Sequence, residues 1–574
     1  MFSIQKHVDA LDARVSTSTF GRVFRLGGSG HEKQRHGSRF VTEIHAGLTT
    51  FFTMAYIIAV NSSVLSESGA TCVCSDPVDR TCNNDVVYMN CLVGVKRDFI
   101  TATAAIAGLG SLIFGFLTNL PVALAPGMGL NAFFTYQVVG YHGTGPVSYG
   151  LALTAVFIEG FIFLFLSLIG LRQWLVRIIP ASIKVASGVG IGLFLTMTGM
   201  SSSGIGLISG SPDTPTDLAG CPAQYIDRAS GQCTSHRMGN PQMWIGITCS
   251  GILTAYLMAY RVKSAIVIGI SLVSILSWPR ATSFTYFPYT EAGDDLYDFF
   301  KKVVYFHPIQ STLNAQDWNV AAAGGHFALA LFTFLYVDII DATATLYSMA
   351  RFSGVVDPDT GDFPRSTLAY CCDSVAISIG SLFGCSPVTA FIESGAGITE
   401  GGRTGLTAMT TGVCFLISIF FAPIFASIPP WATGCTLVLV GCMMMRQVTA
   451  VNWVYIGDAL PAFVTIVTMP FTYSVSYGLI AGLFCYATLN GMIYITTKVS
   501  RGMIQPPDAD AAEYWTCKPS GTHPPWFIRF GHNKLWRTGR KDDEAEGRSI
   551  DAGTQASEKE LVDLPHPGRR VVSG

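Results

Sequence analysis

The sequence predicts an all-α polytopic membrane protein with about fourteen transmembrane segments. Of its 574 residues, 49% are hydrophobic and only 13% are charged, about half the charged fraction of a soluble domain. Apolar runs long enough to cross a bilayer recur along the chain. These runs fall into two sets of seven, and each set has a short, broken third member. The formal net charge of −2 averages polar tails over an apolar body, and nothing indicates a nucleic-acid partner.

The chain is predicted to divide into five parts. A polar tail at 1–40 has no apolar stretch typical of a signal peptide, so the first membrane helix would direct insertion. The two seven-segment repeats lie at 41–279 and 325–497, and a polar extracellular loop at 280–324 connects them. The tail at 498–574 is rich in charged residues, Gly and Pro, and we expect it to be largely disordered. The apolar segments fall at about 44–65, 99–119, 121–139, 148–170, 181–200, 242–260, 263–279, 326–350, 366–385, 386–398, 403–426, 431–448, 456–475 and 476–497.

The third segment of each repeat is interrupted by Pro and Gly. The first reads LPVALAPGMGLNAFFTY from Leu120, and the second reads GCSPVTAFIESGAGITEGG from Gly384. Paired broken segments of this kind indicate a transporter site between inverted repeats. Because seven is odd, the second repeat enters the membrane from the opposite side, and the two breaks would meet near the midplane. The alternative is that Pro and Gly only kink packed helices.

Two carboxylates, Asp338 and Asp341, lie within the apolar run from His326 to Ala350. A spacing of three places both on one helix face. Charged groups at bilayer depth are costly and usually functional, and two so close in a low dielectric should not both be ionised. We assign Asp341 to the coupling proton and Asp338 to substrate, although spacing barely separates the two roles. The alternative is that one acid caps a neighbouring half-helix.

Charge and cysteine patterns predict the topology. The loops assigned to the cytoplasm are basic and the opposite loops are long and acidic, so both termini are expected in the cytoplasm. Six cysteines on the predicted outer side point to three disulfides, two in the first outer loop and one in another, with the pairing in the first loop left open. The basic residues include Arg261, Arg351, Arg365, Arg403 and Arg446, and the six cysteines are Cys72, Cys74, Cys82, Cys91, Cys221 and Cys233.

Four motifs resemble the AzgA-type purine permeases, which belong to the nucleobase transporters similar to the uracil permease. They are FFTMAYIIAVN at 51–61, LAPGMGLNAFFTY at 124–136, FLYVDIIDATATL at 334–346 and SPVTAFIESGAGITEGGRTGLTA at 386–408. The Cys-rich outer loops and long tails are similar to the fungal branch. The resemblance implies proton-coupled uptake of hypoxanthine, adenine and guanine at the plasma membrane. It also implies two inverted repeats arranged as a core domain and a gate domain.

The polar residues at the breaks suit a purine. An ionised carboxylate accepts two N–H bonds side by side, so Glu393 and Asp338 can each bind a purine edge. The amide of Asn131 both donates and accepts, although alone it could equally make an interhelical hydrogen bond. The predicted substrate-binding residues are Asn131, Asp338, Glu393, Phe391, Gly129 and Ser394.

Two further features would complete such a site. Either Phe391 or Phe134 can stack on the ring face of the base. Gly127 and Gly129 would let the backbone come close to the ligand.

Other function classes are weighed against a purine symporter. A carrier of the same fold for uracil or xanthine stays open. An anion carrier is disfavoured because three acids around the site would repel its substrate. A membrane enzyme is disfavoured because no His/Cys cluster lies at bilayer depth, and the absence of a Walker sequence argues against an ATP-driven pump. We expect no metal or cofactor, a proton as the coupling ion, and leave homodimer formation open.

Overall fold

The computed structural model describes most of the chain up to residue 501. The described residues are 2–501 and 506, except 33, 36, 74–81, 83–84, 172–179, 202–203, 210–215, 223–224, 226–232, 263, 357–362 and 473. Most of the predicted C-terminal tail, and Cys74 in the first outer loop, lie outside the described residues.

The regular secondary structure of the described residues is helical apart from two three-residue strands. In chain order its helices and strands are α1 Phe2–Ser16, α2 Thr19–Val23, α3 Phe40–Met54, α4 Tyr56–Ser66, α5 Val86–Thr118, β1 Leu124–Pro126, α6 Met128–Phe133, α7 Tyr149–Ile169, α8 Ala181–Met200, α9 Pro241–Ile245, α10 Leu253–Ala259, α11 Ala265–Ser277, α12 Glu291–Phe300, α13 Gly324–Phe352, α14 Ser366–Leu382, β2 Val388–Ala390, α15 Ser394–Thr399, α16 Gly405–Ser418, α17 Ala422–Ala426, α18 Pro430–Met445, α19 Ile456–Phe471 and α20 Val475–Val499. Two π-helical turns, Phe134–Val139 and Gly246–Ile252, continue α6 and join α9 to α10.

The predicted apolar segments coincide with these elements. Each of them overlaps a helix, or a strand followed by a short helix. Eight of the described helical segments are long and apolar enough to cross a bilayer, and three shorter ones are also apolar. The protein is therefore a multi-pass membrane protein. The exact count of fourteen spans stays a prediction.

The second segment begins earlier than predicted. The apolar pattern placed its start near residue 99, but α5 already begins at Val86. Asp85 caps the helix by accepting hydrogen bonds from the backbone N–H groups of Val87 and Tyr88, at 3.0 and 3.1 Å. Polar residues in the first turns lower the mean hydropathy there, so the apolar pattern did not include this part of the helix. Cys91, predicted in a loop, consequently lies on α5.

The packing of the helices repeats with two-fold symmetry. In the first repeat, α5 is the second segment, and it packs along α16, the fourth segment of the second repeat. The equivalent pair is α14, the second segment of the second repeat, with α7, the fourth segment of the first. The pair α3 with α16 is matched in the same way by α13 with α7. This pattern is that of an inverted-repeat transporter fold. We call α3–α7 with α13–α17 the core domain, and α8–α11 with α18–α20 the gate domain.

A buried acid ties the first segment to the start of α16. The side chain of Glu43 on α3 is 0% exposed. It accepts hydrogen bonds from the backbone N–H groups of Arg403 and Thr404 at 2.9 and 3.1 Å, and from the Thr407 hydroxyl at 2.6 Å. These three donors satisfy the buried carboxyl group, so Glu43 holds α3 against the start of α16.

Two of the expected disulfides are present among the described residues. Cys72 bonds Cys91, and Cys221 bonds Cys233. Cys82 is also disulfide-bonded. The first bond connects the loop after α4 to the start of α5, a pairing that the sequence left open.

Candidate functional site

The two broken segments meet as a pair of short strands. β1 and β2 are antiparallel, with Leu124 opposite Ala390 and Pro126 opposite Val388. The pairing continues beyond the strands, since Gly127 N–H donates to the Pro387 carbonyl and Phe391 N–H to the Ala123 carbonyl, at 2.9 and 3.0 Å. All six strand residues are buried. Extended backbone inside a membrane protein needs such partners, because lipid offers none.

Each strand leads directly into the first turn of a helix. α6 follows β1 after Gly127, and α15 follows β2 with Glu393 as its N-cap residue. The start of a helix carries partial positive charge. The strand pairing therefore brings two helix starts and their polar side chains into one region of the core domain.

Glu393 and Asp341 are the accessible acids of this region. Asp341 is exposed although it lies in the middle of α13, and Glu393 is partly exposed. The two carboxylates interact electrostatically, and Thr345 and Thr389 lie beside Asp341. The hydroxyl of Tyr56 donates a hydrogen bond to Glu393 at 2.9 Å. These side chains thus form an acidic cluster beside the paired strands, and its two carboxylates are not fully covered by protein.

Asn131 and Asp338 lie deeper than these acids. Both side chains are 0% exposed, and neither the amide atoms of Asn131 nor the carboxylate oxygens of Asp338 have a hydrogen-bond partner. They are carried by α6 and α13, which pack against each other. A buried polar group without a partner costs about 1–3 kcal/mol. Unsatisfied donors and acceptors at this point favour a site for a polar ligand.

Three other predicted residues have structural contacts here. A Cβ on Gly129 would lie 2.5 Å from a methyl carbon of Ile191 on α8, so this glycine allows the core and gate domains to pack closely. The Ser394 hydroxyl accepts a hydrogen bond from Ala123 N–H at 3.0 Å and thereby joins the two broken segments. Phe391 is 6% exposed. Their roles as ligand contacts stay predictions.

Of the two aromatic candidates, Phe134 is buried in a cluster of rings. It is 0% exposed and packs against Tyr149 and Phe334, with ring centroids at 5.8 and 6.2 Å. Phe391 follows β2 directly and lies two residues before Glu393. Phe391 is therefore the better placed of the two to stack on a ligand.

Sequence reasoning missed two buried acids and one tyrosine. Glu159 on α7 and Asp373 on α14 are both 0% exposed. Each is a single acid within a predicted apolar segment, and this signal could have identified them. No sequence signal pointed to the contact between Tyr56 and Glu393, because 337 residues separate them.

Comparison with known proteins gives a consistent picture. The sequence profile of the xanthine/uracil permease family matches residues 86–480 of this chain. "Efflux pump notK'" of Aspergillus versicolor is 59% identical, over 92% of this chain and 92% of that protein. A putative xanthine/uracil permease of Schizosaccharomyces pombe is 54% identical over 96% and 88%. The adenine permease AdeP of Escherichia coli is 32% identical over 82% and 89%.

A solved structure supports the fold. The murine Solute Carrier 26 family member A9 anion transporter, in its inward-facing state, aligns with a TM-score of 0.50 at 12% identity. The alignment covers 86% of this chain and 75% of that one. At this identity the likeness concerns the fold alone.

Proposed function

We propose, from the premise that the chain belongs to the xanthine/uracil permease family, that it takes up purine nucleobases together with protons. Its relatives are named as permeases or an efflux pump, and the chain is a transporter rather than an enzyme. The proposed substrates are hypoxanthine, adenine and guanine. The proposed location is the plasma membrane, with both termini in the cytoplasm.

The observation that carries the proposal is the acidic cluster at the paired breaks. A purine presents N–H donors and ring-nitrogen acceptors along one edge. Glu393 can accept from N–H groups at the accessible side, while Asp338 and Asn131 offer two unsatisfied side chains deeper in the core domain. A site built to form hydrogen bonds rejects ligands that leave its polar atoms unpaired. This chemistry favours bases over sugars and amino acids.

Asp341 is proposed to carry the coupling proton. It is accessible and interacts with Glu393, so loading or unloading a proton would change the charge next to the base. One charge moving through 100 mV is worth about 2.3 kcal/mol. That free energy supports roughly 50-fold accumulation of a neutral base.

Uptake of labelled compounds tests the proposal. In a host without its own base carriers, we expect uptake of hypoxanthine, adenine and guanine, and background values for sulfate. Uptake of uracil or xanthine alone would move the substrate to another nucleobase. Flat uptake of every base would refute the proposal.

Export is the second candidate, because the relative that is 59% identical is named an efflux pump. Cells preloaded with labelled adenine separate the two directions. Net uptake against a gradient at acidic external pH supports import. Energy-dependent loss of label without uptake would support export.

A further inference from the structure

Three arginines lie together at the end of α5, where the N-terminal segment packs against the core domain. Arg365, the residue before α14, donates a hydrogen bond to the Leu117 carbonyl in the last turn of α5 at 2.8 Å. Arg25 and Arg35 come from the segment between α2 and α3, and Arg35 N–H donates to the Arg25 carbonyl at 2.8 Å. Arg35 interacts electrostatically with both other arginines, and Arg25 interacts with Arg365. We call these three residues the arginine cluster.

Asn119 fixes the N-terminal segment in this place. Its side chain donates a hydrogen bond to the Phe24 carbonyl at 3.0 Å and accepts one from Gly405 N–H at 2.7 Å. Phe24 and Leu26 are both buried. Because Arg25 lies between these two anchored residues, its backbone is held against the end of α5. The arginine cluster is therefore part of the packed structure.

The arginine cluster is short of negative charge. Burial and the charge of Arg365 both act against the charged form of Arg25, and no acid offsets them in the described part of the chain, which omits 357–362. Glu43 attracts Arg35, but its carboxyl group already accepts three hydrogen bonds at the start of α16. Like charges at short range repel each other. An anion bound between the guanidinium groups would remove this repulsion.

The cluster also has unused hydrogen-bond donors. A guanidinium group carries five N–H donors. Among the described residues, the side chain of Arg25 makes no hydrogen bond or ion pair, and Arg35 donates one hydrogen bond, to the Arg403 carbonyl. Arg365 is exposed, and the other two arginines are partly exposed. Since guanidinium groups match the oxygens of a phosphate in geometry, the cluster suits a phosphate group.

The surface next to the cluster is apolar and faces lipid. Leu109, Ile113 and Phe116 on α5 are spaced by four and three residues, so they share one helix face, and all three are exposed. Leu368, one turn after Arg365 on α14, is exposed as well. In a helix that crosses the membrane, such a face contacts acyl chains. The cluster thus lies where the lipid-facing surface of α5 ends, at the level of the headgroups.

We propose that the arginine cluster binds the phosphate of an anionic phospholipid, and that the acyl chains of this lipid lie along the exposed face of α5. The guanidinium groups neutralise the headgroup, and the apolar face holds the chains. With both termini in the cytoplasm, as proposed above, the lipid comes from the leaflet in which anionic lipids are enriched. The bound lipid joins the N-terminal segment to α5 and α14. This site does not depend on which substrate the protein carries.

Native mass spectrometry of the purified full-length protein in a neutral detergent tests the proposal. Phosphatidylserine and phosphatidylcholine with the same acyl chains are titrated separately. Wild type should bind phosphatidylserine more tightly than phosphatidylcholine. Arg25→Gln should weaken the binding of phosphatidylserine by about tenfold or more, the effect of losing hydrogen bonds to a charged group, and should leave the binding of phosphatidylcholine unchanged.

Thermal unfolding separates a lipid site from a structural role of Arg25. Arg25→Gln removes a repelling charge, so in mixed micelles with phosphatidylcholine it should melt at or above the temperature of wild type. Added phosphatidylserine should raise the melting temperature of wild type, because a ligand of the folded state stabilises it, and should have little effect on the variant. A variant that melts lower in phosphatidylcholine would contradict the repulsion on which the proposal rests.

The double variant Arg261→Gln/Arg446→Gln is the matched control. It removes two exposed arginines of the gate domain that are predicted on the same side of the membrane. Its affinity for phosphatidylserine should stay within about twofold of wild type. An equal loss in this control and in Arg25→Gln would show nonspecific attraction, and an unchanged affinity in Arg25→Gln would also overturn the proposal. Equal stabilisation by inorganic phosphate without phosphatidylserine would assign the cluster to a soluble anion instead of a lipid.

Discussion

Replacing Glu393 by alanine removes one of the two acids of the cluster at the paired breaks. Glu393 is the N-cap residue of α15 and accepts a hydrogen bond from Tyr56 at 2.9 Å. The pairing of β1 with β2 is made by backbone groups, so it should persist without this side chain. We expect Glu393→Ala to reach the cell surface and to lose base uptake.

The size of the loss follows from the hydrogen bonds involved. A hydrogen bond to a charged group contributes about 1.5–3 kcal/mol, which corresponds to about 10- to 150-fold in affinity. If Glu393 accepts two N–H groups of the purine edge, the loss reaches about 100-fold or more. Uptake at low substrate should then fall to about 1% of wild type.

The assay measures initial uptake of labelled hypoxanthine, with surface protein quantified in the same cells. Glu400→Ala is the matched control, since Glu400 lies at the opposite end of α15 from Glu393 and contacts His45 at 3.6 Å. Its uptake should stay within about twofold of wild type.

A double-mutant cycle with Tyr56→Phe sharpens the test. The tyrosine hydroxyl holds the carboxylate, so Tyr56→Phe should weaken uptake by about tenfold on its own and have no further effect when Glu393 is alanine. Normal uptake by Glu393→Ala at normal surface levels would show that the site is misplaced. Independent losses in the double variant would show that Tyr56 does not act through Glu393.

Three further predictions concern the proton, the packing and the outer surface. Asp341→Asn should lose pH-dependent accumulation while base exchange across the membrane persists; an unchanged pH profile in an uptake assay would assign the proton elsewhere. Gly160→Leu should greatly reduce the amount of folded protein in size-exclusion chromatography, because no side chain fits against Ser378; a monodisperse peak at wild-type yield would contradict that packing. Cys221→Ser opens a disulfide between residues 12 apart and should lower stability by about 3 kcal/mol, seen as a lower melting temperature without reductant; equal melting temperatures would show that the bond contributes nothing.

Local patterns in the sequence were enough to find the elements of the fold. Apolar length identifies membrane helices because the bilayer core imposes one thickness on all of them, and α8, predicted at 181–200, is found at Ala181–Met200. Pro and Gly located the two breaks, whereas only the structure shows that short strands pair there. The boundary of α5 was missed, because a helix held by an Asp85 cap and tertiary contacts need not be apolar to its end.

The amino-acid sequence by itself determined the membrane class, the two broken segments and the positions of Asn131, Asp338, Asp341 and Glu393 along them. Only the tertiary structure decided which of these are accessible, that Tyr56 holds Glu393, and that Glu159 adjoins Asp373. The reason is physical: hydropathy and helix period act over a few neighbouring residues, whereas each of these contacts joins side chains from helices far apart in the chain. The free energy of a buried carboxylate depends on those distant neighbours, so its role emerges only when the helices are packed.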